Sequence, residues 1–333
     1  MNIIIPMAGM GTRMRPHTLT VPKPLLAVAG KPIIQRLCED IVDVCEEPVQ
    51  EIGFIIGDFG SKVEEQLLDI AEKAGAKGKI YYQKEALGTG HAVLCAAPSL
   101  RGKTIVAFAD TLFRADFVLD EKQDGIIWTH RVEDPSAFGV VKTDEGGFIS
   151  GFVEKPKEFV SNQAIIGIYY FKSGEMLHDE LQFLVDNNVV KNGEYQLTDA
   201  LENMRRKGVR FVTRDVQEWM DCGNKNATVD TNRKVLAFSG KTDLPVTLKT
   251  ENSVVIQPCH VGENVILKNA VIGPYVSLGS NSRIENSVIS NSIIGESSTI
   301  RFTVLDNTMV GNFALWEGKP VELSLGDYSQ IKS

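Results

Sequence analysis

The stretch that decides the fold is NIIIPMAGMGTRMRPHTLTVPKPLL, residues 2–26. Its apolar run, Ile3–Ile5, predicts a buried strand that breaks at a proline into a glycine-containing loop. Gly9 and Gly11 allow backbone N–H groups to approach phosphate oxygens closely. The loop also carries three cations, Arg13, Arg15 and Lys23. Each arginine can bind phosphate with two parallel hydrogen bonds, and the lysine supplies a point charge. Because prolines interrupt the loop, these cations are not the wet face of a helix. The stretch favours a polyphosphate site, and a solvated basic loop is the alternative.

Two common phosphate-binding motifs do not fit this loop. The P-loop requires Gly-Lys-Ser/Thr after its spacer, and no such tripeptide is present. The dinucleotide fingerprint requires a third glycine at the position that Met14 occupies. A different kind of phosphate loop is therefore expected.

Composition bounds the class of protein. The chain has 333 residues, enough for two domains and a large core, and a net charge of −8. The acidic balance argues against a nucleic-acid partner, which usually calls for a basic field. The sequence shows no 18-residue apolar run and no charged-then-apolar leader, so we expect a soluble cytoplasmic protein with no membrane partner. The five cysteines form no CxxC pair, which favours reduced thiols.

Strand and helix patterns alternate through the first hundred residues. The predicted strands are Ile3–Ile5, Ile52–Ile56, Ile80–Gln83 and Thr104–Ala109. The predicted helices are Pro32–Cys45, a helix opened by a capping box at Ser61–Glu64 and ended at Gly75, and Gly90–Ala97. This alternation predicts a parallel sheet with right-handed crossovers.

Ligands of such sheets bind beyond the carboxyl ends of the strands. The glycine loop, Gln83 with the Leu87–Gly90 turn, and Asp110 follow three different predicted strands, so we expect them at one edge. The Gln83 amide offers a donor and an acceptor to the imide edge of uracil or thymine, and Gly88 would let a base lie against the backbone. A surface turn is the alternative. Asp110 ends an apolar run, where a carboxylate is costly unless it meets a metal, a cation or solvent.

The loop also carries a family resemblance. GMGTRMRPHTLTVPKPL, residues 9–25, resembles the signature GxGTRxxPxTxxxPKPL of the sugar-1-phosphate nucleotidylyltransferases. These enzymes make nucleotide sugars from a nucleoside triphosphate and a sugar 1-phosphate. The chain departs from the pattern upstream, where Met7-Ala8 replaces the usual Ala-Gly. That form, together with Lys31–Gln35, looks like the branch that uses UTP and glucose 1-phosphate.

The resemblance implies roles for the nucleotide half of the site. Arg13 would hold the β- and γ-phosphates, and Lys23 would neutralise the α-phosphate region. Asp110 would bind Mg²⁺, although Ala109 stands where the family usually has glycine. The remaining nucleotide-binding positions that it implies are Ala8, Gly9, Gly11, Thr12, Gln83, Gly88 and Thr89.

From residue 126 onward the pattern changes to shorter strands with turns, predicted at Ile126–His130, Phe138–Thr143, Phe148–Val153 and Ile165–Phe171. The resemblance places the sugar here: Gly139 admits the ring, Glu154 binds hydroxyls, and Lys155 holds the 1-phosphate. Without the other motifs, we would interpret Glu154 and Lys155 as a surface ion pair. Gly167 and Glu194 complete the implied sugar-phosphate site.

A second acidic position comes from Trp219–Asn224, which is similar to the family's Trp-x-Asp-x-Gly-Thr/Asn. The resemblance makes Asp221 the partner of Asp110 in binding Mg²⁺. Two aspartates suffice, because Mg²⁺ takes few protein carboxylates and keeps positions for phosphate oxygens. Arg13, Lys23, Asp110, Lys155 and Asp221 are thus the implied catalytic set.

The last quarter of the chain is repetitive. Apolar residues recur every five or six positions, at Val261, Leu267, Ile272, Leu278, Ile284, Ile289, Ile294, Ile300 and Leu305. Glycine follows four of them directly, at Gly262, Gly273, Gly279 and Gly295. This is the hexapeptide pattern of a parallel β-helix and resembles left-handed β-helix tails, with room for roughly three coils of about eighteen residues. We interpret it as a packing or oligomerisation module, which makes a homo-oligomer the expected state.

The complete expectation is a Rossmann-like α/β domain with a mixed, mainly parallel sheet at residues 1–238, a linker at 239–250, a left-handed β-helix at 251–312 and a tail at 313–333. Its expected reaction moves a nucleotidyl group from a pyrimidine triphosphate, dTTP or UTP, to a sugar 1-phosphate such as glucose 1-phosphate, releasing pyrophosphate with Mg²⁺ as cofactor. The alternatives are ATP- or GTP-dependent transfer, a hexapeptide-repeat acyltransferase, and a non-catalytic regulatory subunit. Acyl transfer is disfavoured because His260 is the only histidine after His178 and lies where the β-helix begins.

Overall fold

The structure is a computed structural model that describes residues 1–191 and 193–319, with residues 322, 324, 327 and 330. The chain forms two compact units, Met1–Ala27 with Lys31–Ala227, and Val28–Gly30 with the residues from Thr228 onward. The predicted domain boundaries at 238, 250 and 312 stay a prediction. Within the described part of the chain, every helix is too short or too polar to cross a membrane.

Thirteen strands run through residues 1–227. In chain order they are β1 Asn2–Pro6, β2 Ala27–Val28, β3 Lys31–Pro32, β4 Glu51–Ile56, β5 Lys77–Tyr82, β6 Thr104–Ala107, β7 Thr111–Arg114, β8 Gly125–Arg131, β9 Gly139–Thr143, β10 Ile149–Glu154, β11 Gln163–Phe171, β12 Phe211–Asp215 and β13 Glu218–Asp221. The α-helices of the whole described chain are α1 Ile33–Val44, α2 Ser61–Lys73, α3 Thr89–Leu94, α4 Gly174–Asp186, α5 Leu197–Arg206 and α6 Lys225–Ser239. Short 3₁₀ turns lie at Thr12–Met14, His17–Leu19, Lys23–Leu25 and Ala97–Ser99.

The central sheet has the strand order β10-β9-β11-β6-β1-β4-β5, with β8 beside β11 and β12 beside β8. β6, β1, β4 and β5 are parallel, as the alternating pattern predicts. β11 is antiparallel to β6, β8 and β9, so the second half of the unit turns the sheet into a mixed one. The predicted fold class, a Rossmann-like domain with a mixed sheet, is confirmed.

Burial explains why the first strands are read so easily from the sequence. β1 and β4 are buried along their whole length, so both faces of each strand demand apolar residues. The helices α4 and α5 contribute Leu177, Leu181 and Leu201 to the same apolar cluster as the sheet residues Val106 and Ile127. The sheet is thereby held between layers, and its carboxyl edge stays open for a ligand.

Several element boundaries differ from the prediction. Ser61 is the first residue of α2 and does not cap it, because Gly60 occupies the N-cap position and its carbonyl accepts the Val63 N–H, so the predicted capping box is wrong. β6 ends at Ala107, two residues before the predicted end at Ala109, although the Phe108 N–H still donates to the Gly167 carbonyl of β11. The sequence pattern also missed six elements before residue 228, namely β2, β3, β7, α4, β12 and β13.

The described residues of the second unit contain ten short strands. They are β14 Lys249–Glu251, β15 Val254–Val255, β16 Cys259–Val261, β17 Ile266–Ile272, β18 Val276–Leu278, β19 Arg283–Ile289, β20 Ile293–Ile294, β21 Thr299–Leu305, β22 Met309–Val310 and β23 Leu315–Glu317. They pair in parallel in two sheets, β14-β17-β19-β21-β23 with β15 beside β17, and β16-β18-β20-β22. This is the strand arrangement of a parallel β-helix, and its left-handed sense stays a prediction.

The length of one coil follows from the strand register. Lys249 lies opposite Ile266, Ile266 opposite Arg283, Arg283 opposite Thr299, and Thr299 opposite Leu315. One coil therefore takes 16 or 17 residues instead of the expected eighteen, and the pairing continues through more than three coils. β23 lies in the stretch that the sequence assigns to a tail, and most of that tail after residue 319 lies outside the described residues.

The glycines that follow the core positions are explained by coil stacking. A Cβ at Gly262 would stand 2.5 Å from the backbone nitrogen of Ser280 in the next coil. Gly279 has the same relation to the backbone of Glu296, and Gly295 to that of Gly311. The adjacent coil, and not a special backbone angle, excludes a side chain at these three positions.

We predict that Gly279→Ala lowers the free energy of unfolding of the second unit by about 1–3 kcal/mol, the usual cost of overpacking, because the added methyl must displace backbone. Unfolding midpoints in urea measure the effect. Gly151→Ala is the control, since a Cβ there meets nothing within 4 Å. Equal midpoints for the two variants would contradict the stacking argument.

Candidate active site

A cavity of about 280 Å³ opens at the carboxyl ends of β1, β5 and β6. The chain segments that follow these three strands line it together, as the sheet rule predicts. Nine of the residues singled out from the sequence are in its lining: Ala8, Gly9, Gly11, Lys23, Gln83, Gly88, Thr89, Asp110 and Glu194. Glu194, which is expected at the sugar, shares this cavity with Gln83, and its role at the sugar stays a prediction. The other predicted site residues, Thr12, Arg13, Gly139, Glu154, Lys155, Gly167 and Asp221, lie outside its lining.

The glycine loop is a series of tight turns. Gly11 has a φ of +57°, which glycine adopts at no steric cost, and the Thr18 hydroxyl donates to its carbonyl at 2.8 Å. A 3₁₀ turn at Lys23–Leu25 then closes with the Leu26 N–H bonded to the Lys23 carbonyl at 3.0 Å. These turns fix the backbone on both sides of the loop and place the Lys23 side chain against the cavity.

Lys23 forms an ion pair with Asp110. Its Nζ donates to Asp110 Oδ2 at 2.7 Å, and the side chains are only 14% and 33% exposed. Partial burial makes a charge-assisted bond of this kind stronger than one in bulk water. The loop after β1 and the turn after β6 are thus tied together by opposite charges.

Asp221 reaches the same place from a distant part of the chain. β13 runs antiparallel to β7 with Asp221 opposite Thr111, and the Cys222 N–H donates to the Asp110 carbonyl at 2.8 Å. Burial and the nearby charge of Asp110 raise the pKa of Asp221 above its usual range, and the Gly223 N–H, at 2.9 Å, opposes that shift. The two aspartates are therefore electrostatic neighbours, as the motif predicts.

Arg13 belongs to this charge cluster. One guanidinium nitrogen of Arg13 lies 3.3 Å from where a Cβ of Gly223 would stand. The positive charge of Arg13 opposes the rise in the pKa of Asp221. A side chain at Gly223 would also crowd the Asp221 carboxylate at 2.9 Å. Two cations and two carboxylates thus converge beside the cavity: Arg13, Lys23, Asp110 and Asp221.

The cluster suits a divalent cation of the magnesium type. The described residues contain no group of three or more histidine, cysteine, aspartate and glutamate side chains that could hold a metal by themselves. Asp110 and Asp221 provide hard carboxylate oxygens and repel each other, and a cation between them would relieve that repulsion. Mg²⁺ typically takes one or two carboxylates and completes its shell with water and phosphate oxygens, so these residues fit it.

The turn after β5 is built on the segment before α5. The Gly90 N–H donates to the Tyr195 carbonyl and the Tyr195 N–H to the Leu87 carbonyl, both at 2.8 Å. A Cβ at Gly88 would stand 2.6 Å from the Tyr195 oxygen, so this packing, together with a φ of +108°, demands glycine there. The Thr89 hydroxyl accepts the Leu197 N–H at 3.0 Å. Both Gly88 and Thr89 line the cavity, but each also has a structural task that the motif does not reveal.

Gln83 lies directly after β5 and lines the same cavity as the Lys23–Asp110 pair. Its Nε2 donates to the Gly88 carbonyl at 3.2 Å and lies 3.2 Å from Nδ1 of His91 on α3. Sequence reasoning did not single out His91. The signal that could have found it is its position in the first turn of α3, where side chains point back toward the preceding loop.

The predicted sugar residues form a second group. Gly139 has Glu154 as its neighbour across β9 and β10, and a Cβ on Gly139 would stand 3.0 Å from Glu154 Oε2. Burial raises the pKa of Glu154, Lys155 opposes the shift, and Asp199 and Glu194 add to it. Lys191 also opposes the shift, so burial is the main reason that the pKa of Glu154 is raised. A poorly solvated carboxylate of this kind suits an acceptor for sugar hydroxyls. Lys155 is exposed.

Gly167 lies at an irregularity in β11, where the pairing with β8 shifts between Ile165 and Tyr169. Its φ is +86°, and its carbonyl accepts the Phe108 N–H at 2.9 Å. Phe108 is in the cavity lining, so Gly167 positions one apolar wall of the cavity through the backbone.

The sequence did not single out one aromatic pair near the site. The ring centroids of Phe138 and Trp219 are 4.9 Å apart, and Trp219 lies on β13, the strand that ends at Asp221.

Residues 2–237 match the family model described as Nucleotidyl transferase. The chain belongs to this family. Among its relatives, a glucose-1-phosphate thymidylyltransferase of Streptomyces antibioticus is 28% identical, over 100% of this chain and 99% of that protein. The bifunctional protein GlmU of Methanococcus maripaludis is 32% identical over 82% of this chain, which spans only 62% of that protein. A solved structure of UDP-glucose pyrophosphorylase in complex with UDP-glucose matches with a TM-score of 0.59 and 25% identity, over 71% of this chain and 98% of that one.

Membership of the Nucleotidyl transferase family confirms the predicted family and the prediction of an enzyme. The matched residues include the loop after β1, Gln83, Asp110, Glu154 and Asp221, so the whole candidate site lies within the matched range. The roles assigned to individual site residues stay predictions.

We predict that Glu154→Gln raises the unfolding temperature at pH 7–8. Burial raises the pKa of Glu154 above its ordinary value of 4.5. The protonated side chain therefore stabilises the fold below pH 4.5, and this stabilisation is lost as the pH rises through the pKa of Glu154 in the folded protein. Glutamine carries no charge, so the advantage of the variant should shrink toward pH 4. Thermal unfolding across this range measures it.

Glu158→Gln, at an exposed position four residues on, is the control and should leave the pH dependence unchanged. An advantage of Glu154→Gln that stays constant down to pH 4 would contradict the buried-charge argument.

Proposed function

We propose that this nucleotidyltransferase transfers a nucleotidyl group from a pyrimidine nucleoside triphosphate, UTP or dTTP, to a sugar 1-phosphate, with glucose 1-phosphate as the preferred acceptor. The observation that carries the proposal is one cavity whose lining contains both an amide suited to a base, on Gln83, and the Lys23–Asp110 pair suited to phosphates and metal. The products are a nucleotide sugar and pyrophosphate.

The chemistry needs no covalent nucleophile. A phosphate oxygen of the sugar 1-phosphate attacks the α-phosphorus in line, and the bond to the pyrophosphate oxygen breaks on the opposite side. Positioning and charge stabilisation supply most of the catalysis in such transfers. Arg13 would stabilise the negative charge that develops on pyrophosphate, Lys23 would neutralise the α-phosphate, and Lys155 would hold the incoming phosphate.

Asp110 and Asp221 would hold Mg²⁺. When bound, the cation neutralises phosphate charge and polarises the phosphoryl group. The two carboxylates also have roles that do not depend on the cation. Asp110 keeps Lys23 extended toward the cavity, and the strand pairing of β13 with β7 keeps Asp221 beside Asp110.

The choice of a pyrimidine rests on Gln83 and on the names of similar proteins. The amide oxygen of Gln83 can accept a hydrogen bond from the imide N–H of uracil or thymine. The Streptomyces relative is named for thymidylyl transfer to glucose 1-phosphate, and the similar solved structure is named for UDP-glucose. Transfer that depends on ATP or GTP is the alternative within the family.

A non-catalytic subunit and an acyltransferase have less support. A non-catalytic subunit of this fold would be free to lose Arg13, Lys23, Asp110 or Asp221, and all four are present and converge. An acyltransferase would need a histidine available for catalysis, whereas His260 packs directly against Gly30, where a Cβ would overlap its imidazole ring. The expected homo-oligomer and the cytoplasmic location stay predictions.

Pyrophosphate release with glucose 1-phosphate across UTP, dTTP, CTP, ATP and GTP tests the proposal. We expect UTP or dTTP to give the highest kcat/KM, because both present the imide edge to Gln83. A purine preference would overturn the pyrimidine assignment. Release of thiol from an acyl-CoA with no pyrophosphate formation would overturn the reaction class.

We predict that Asp110→Asn lowers kcat by about two to three orders of magnitude, the usual effect of removing one stabilising contact of about 3–4 kcal/mol from a transition state. Steady-state kinetics at saturating Mg²⁺ measure it. Asp116→Asn, which alters an exposed carboxylate after β7, is the matched control and should behave like the unmodified enzyme. Near-normal turnover of Asp110→Asn with an unchanged circular dichroism spectrum would remove Asp110 from the mechanism.

A further inference from the structure

The two ends of the Gln83 amide are not interchangeable in this fold. Nε2 lies 3.2 Å from the Gly88 carbonyl, which also accepts the Ala92 N–H of α3 at 3.0 Å. A backbone carbonyl can only accept hydrogen bonds. If the amide were turned over, its Oε1 would face another acceptor and the bond to Gly88 would be lost. Gly88 therefore selects the orientation in which the NH₂ group points toward the turn.

His91 takes up the second hydrogen of the same NH₂ group. Its Nδ1 lies 3.2 Å from Gln83 Nε2, and because Nε2 has only hydrogens to offer, Nδ1 must be the acceptor. The imidazole proton is then on the other ring nitrogen of His91. His91 and Gly88 together use both hydrogens of the Gln83 amide.

Only the Oε1 atom of Gln83 is left for a ligand. Within the described residues, no protein donor bonds to it, and Gln83 is part of the cavity lining. Gln83 consequently faces the cavity as a hydrogen-bond acceptor, although a free glutamine amide could serve as either donor or acceptor. This removes the ambiguity that the residue type alone leaves open.

An acceptor at this position sorts the bases into two groups. Uracil, thymine and guanine carry a ring N–H on the edge that pairs with an amide, whereas cytosine and adenine carry an unprotonated ring nitrogen there. A site that leaves two acceptors facing each other disfavours the wrong group, because the hydrogen bond between Oε1 and the ring nitrogen is lost.

We propose that His91 is a positioning residue that sets base selectivity by holding the Gln83 amide with Oε1 toward the nucleotide. The inference rests on the proposed function in one respect, that Gln83 contacts the base. It goes further in naming a residue that, together with the Gly88 carbonyl, holds the amide in the orientation that determines which class of base is accepted.

The test compares His91→Leu with His91→Asn, using kcat/KM for UTP and for CTP. Leucine removes the acceptor, so the amide can turn more easily and the UTP:CTP ratio should fall about 3–10-fold, the worth of one hydrogen bond. Asparagine places its Oδ1 near the position of the imidazole Nδ1, so it should keep the ratio within about twofold of the unmodified enzyme. The change should appear in KM for the nucleotide, with kcat largely preserved.

A purely structural role for His91 gives a different pattern. Loss of packing in α3 would lower kcat/KM for UTP and CTP alike and leave the ratio unchanged, and it would affect the asparagine variant as much as the leucine variant. Either result overturns the proposal. His178→Leu, on α4, is the matched histidine control and should leave the ratio unchanged.

Coupling with Gln83 completes the test. In a Gln83→Ala background the His91→Leu change should no longer alter the UTP:CTP ratio, because the amide through which it acts is gone. A ratio that still falls in that background overturns the proposal.

The experiment also separates this inference from the proposed function. If the unmodified enzyme prefers GTP, the pyrimidine assignment fails while the inference stands, and the GTP:ATP ratio takes the place of the UTP:CTP ratio. If it prefers CTP or ATP, the inference fails together with the assignment of UTP or dTTP. If it prefers UTP or dTTP and His91→Leu leaves the UTP:CTP ratio unchanged, the inference fails by itself.

Discussion

The approach of two carboxylates, Asp110 and Asp221, is the constraint on which the site depends. Neighbouring like charges are tolerated only if cations or protons offset them, and here Lys23 and Arg13 offset them together with a raised pKa of Asp221. The backbone hydrogen bonds of the surrounding strands hold both acids in place against their repulsion. A site built in this way favours a divalent cation bound together with phosphates.

Topology explains how distant residues meet there. The parallel order β6-β1-β4-β5 brings the loops after β1, β5 and β6 to one edge, and this edge supplies the cavity. The antiparallel pair β7 and β13 then carries Asp221 to the same edge, although it lies more than a hundred residues from Asp110 in the chain. The residues proposed to hold the base and those proposed to hold the phosphates thus lie on strands of the same unit, which favours catalysis by positioning.

Much of this could be predicted, and the failures have physical causes. The buried strands β1 and β4 were predictable because both faces are apolar, and the site loops because motif residues follow strand ends. The Ser61 capping box failed since Gly60 satisfies an N–H group of the first turn of α2 by its backbone. The 16- or 17-residue coil was missed because the length of about eighteen residues was taken from the resemblance to β-helix tails, although Leu267, Ile284 and Ile300 already repeat at intervals of 17 and 16 residues. His91 was missed because its role depends on a neighbour eight residues away.

The sequence by itself determined the family and the class of enzyme, because the residues at the strand ends, from Arg13 to Asp221, stand in motifs that resemble those of the family. Only the tertiary structure decided how those groups are presented. Every glutamine amide has an NH₂ donor and an oxygen acceptor. In this fold the Gly88 carbonyl and the His91 imidazole use the NH₂ group of Gln83, so only its oxygen is left for a ligand. Hydrogen-bond direction is a property of neighbours in space, and spacing along a chain does not encode it.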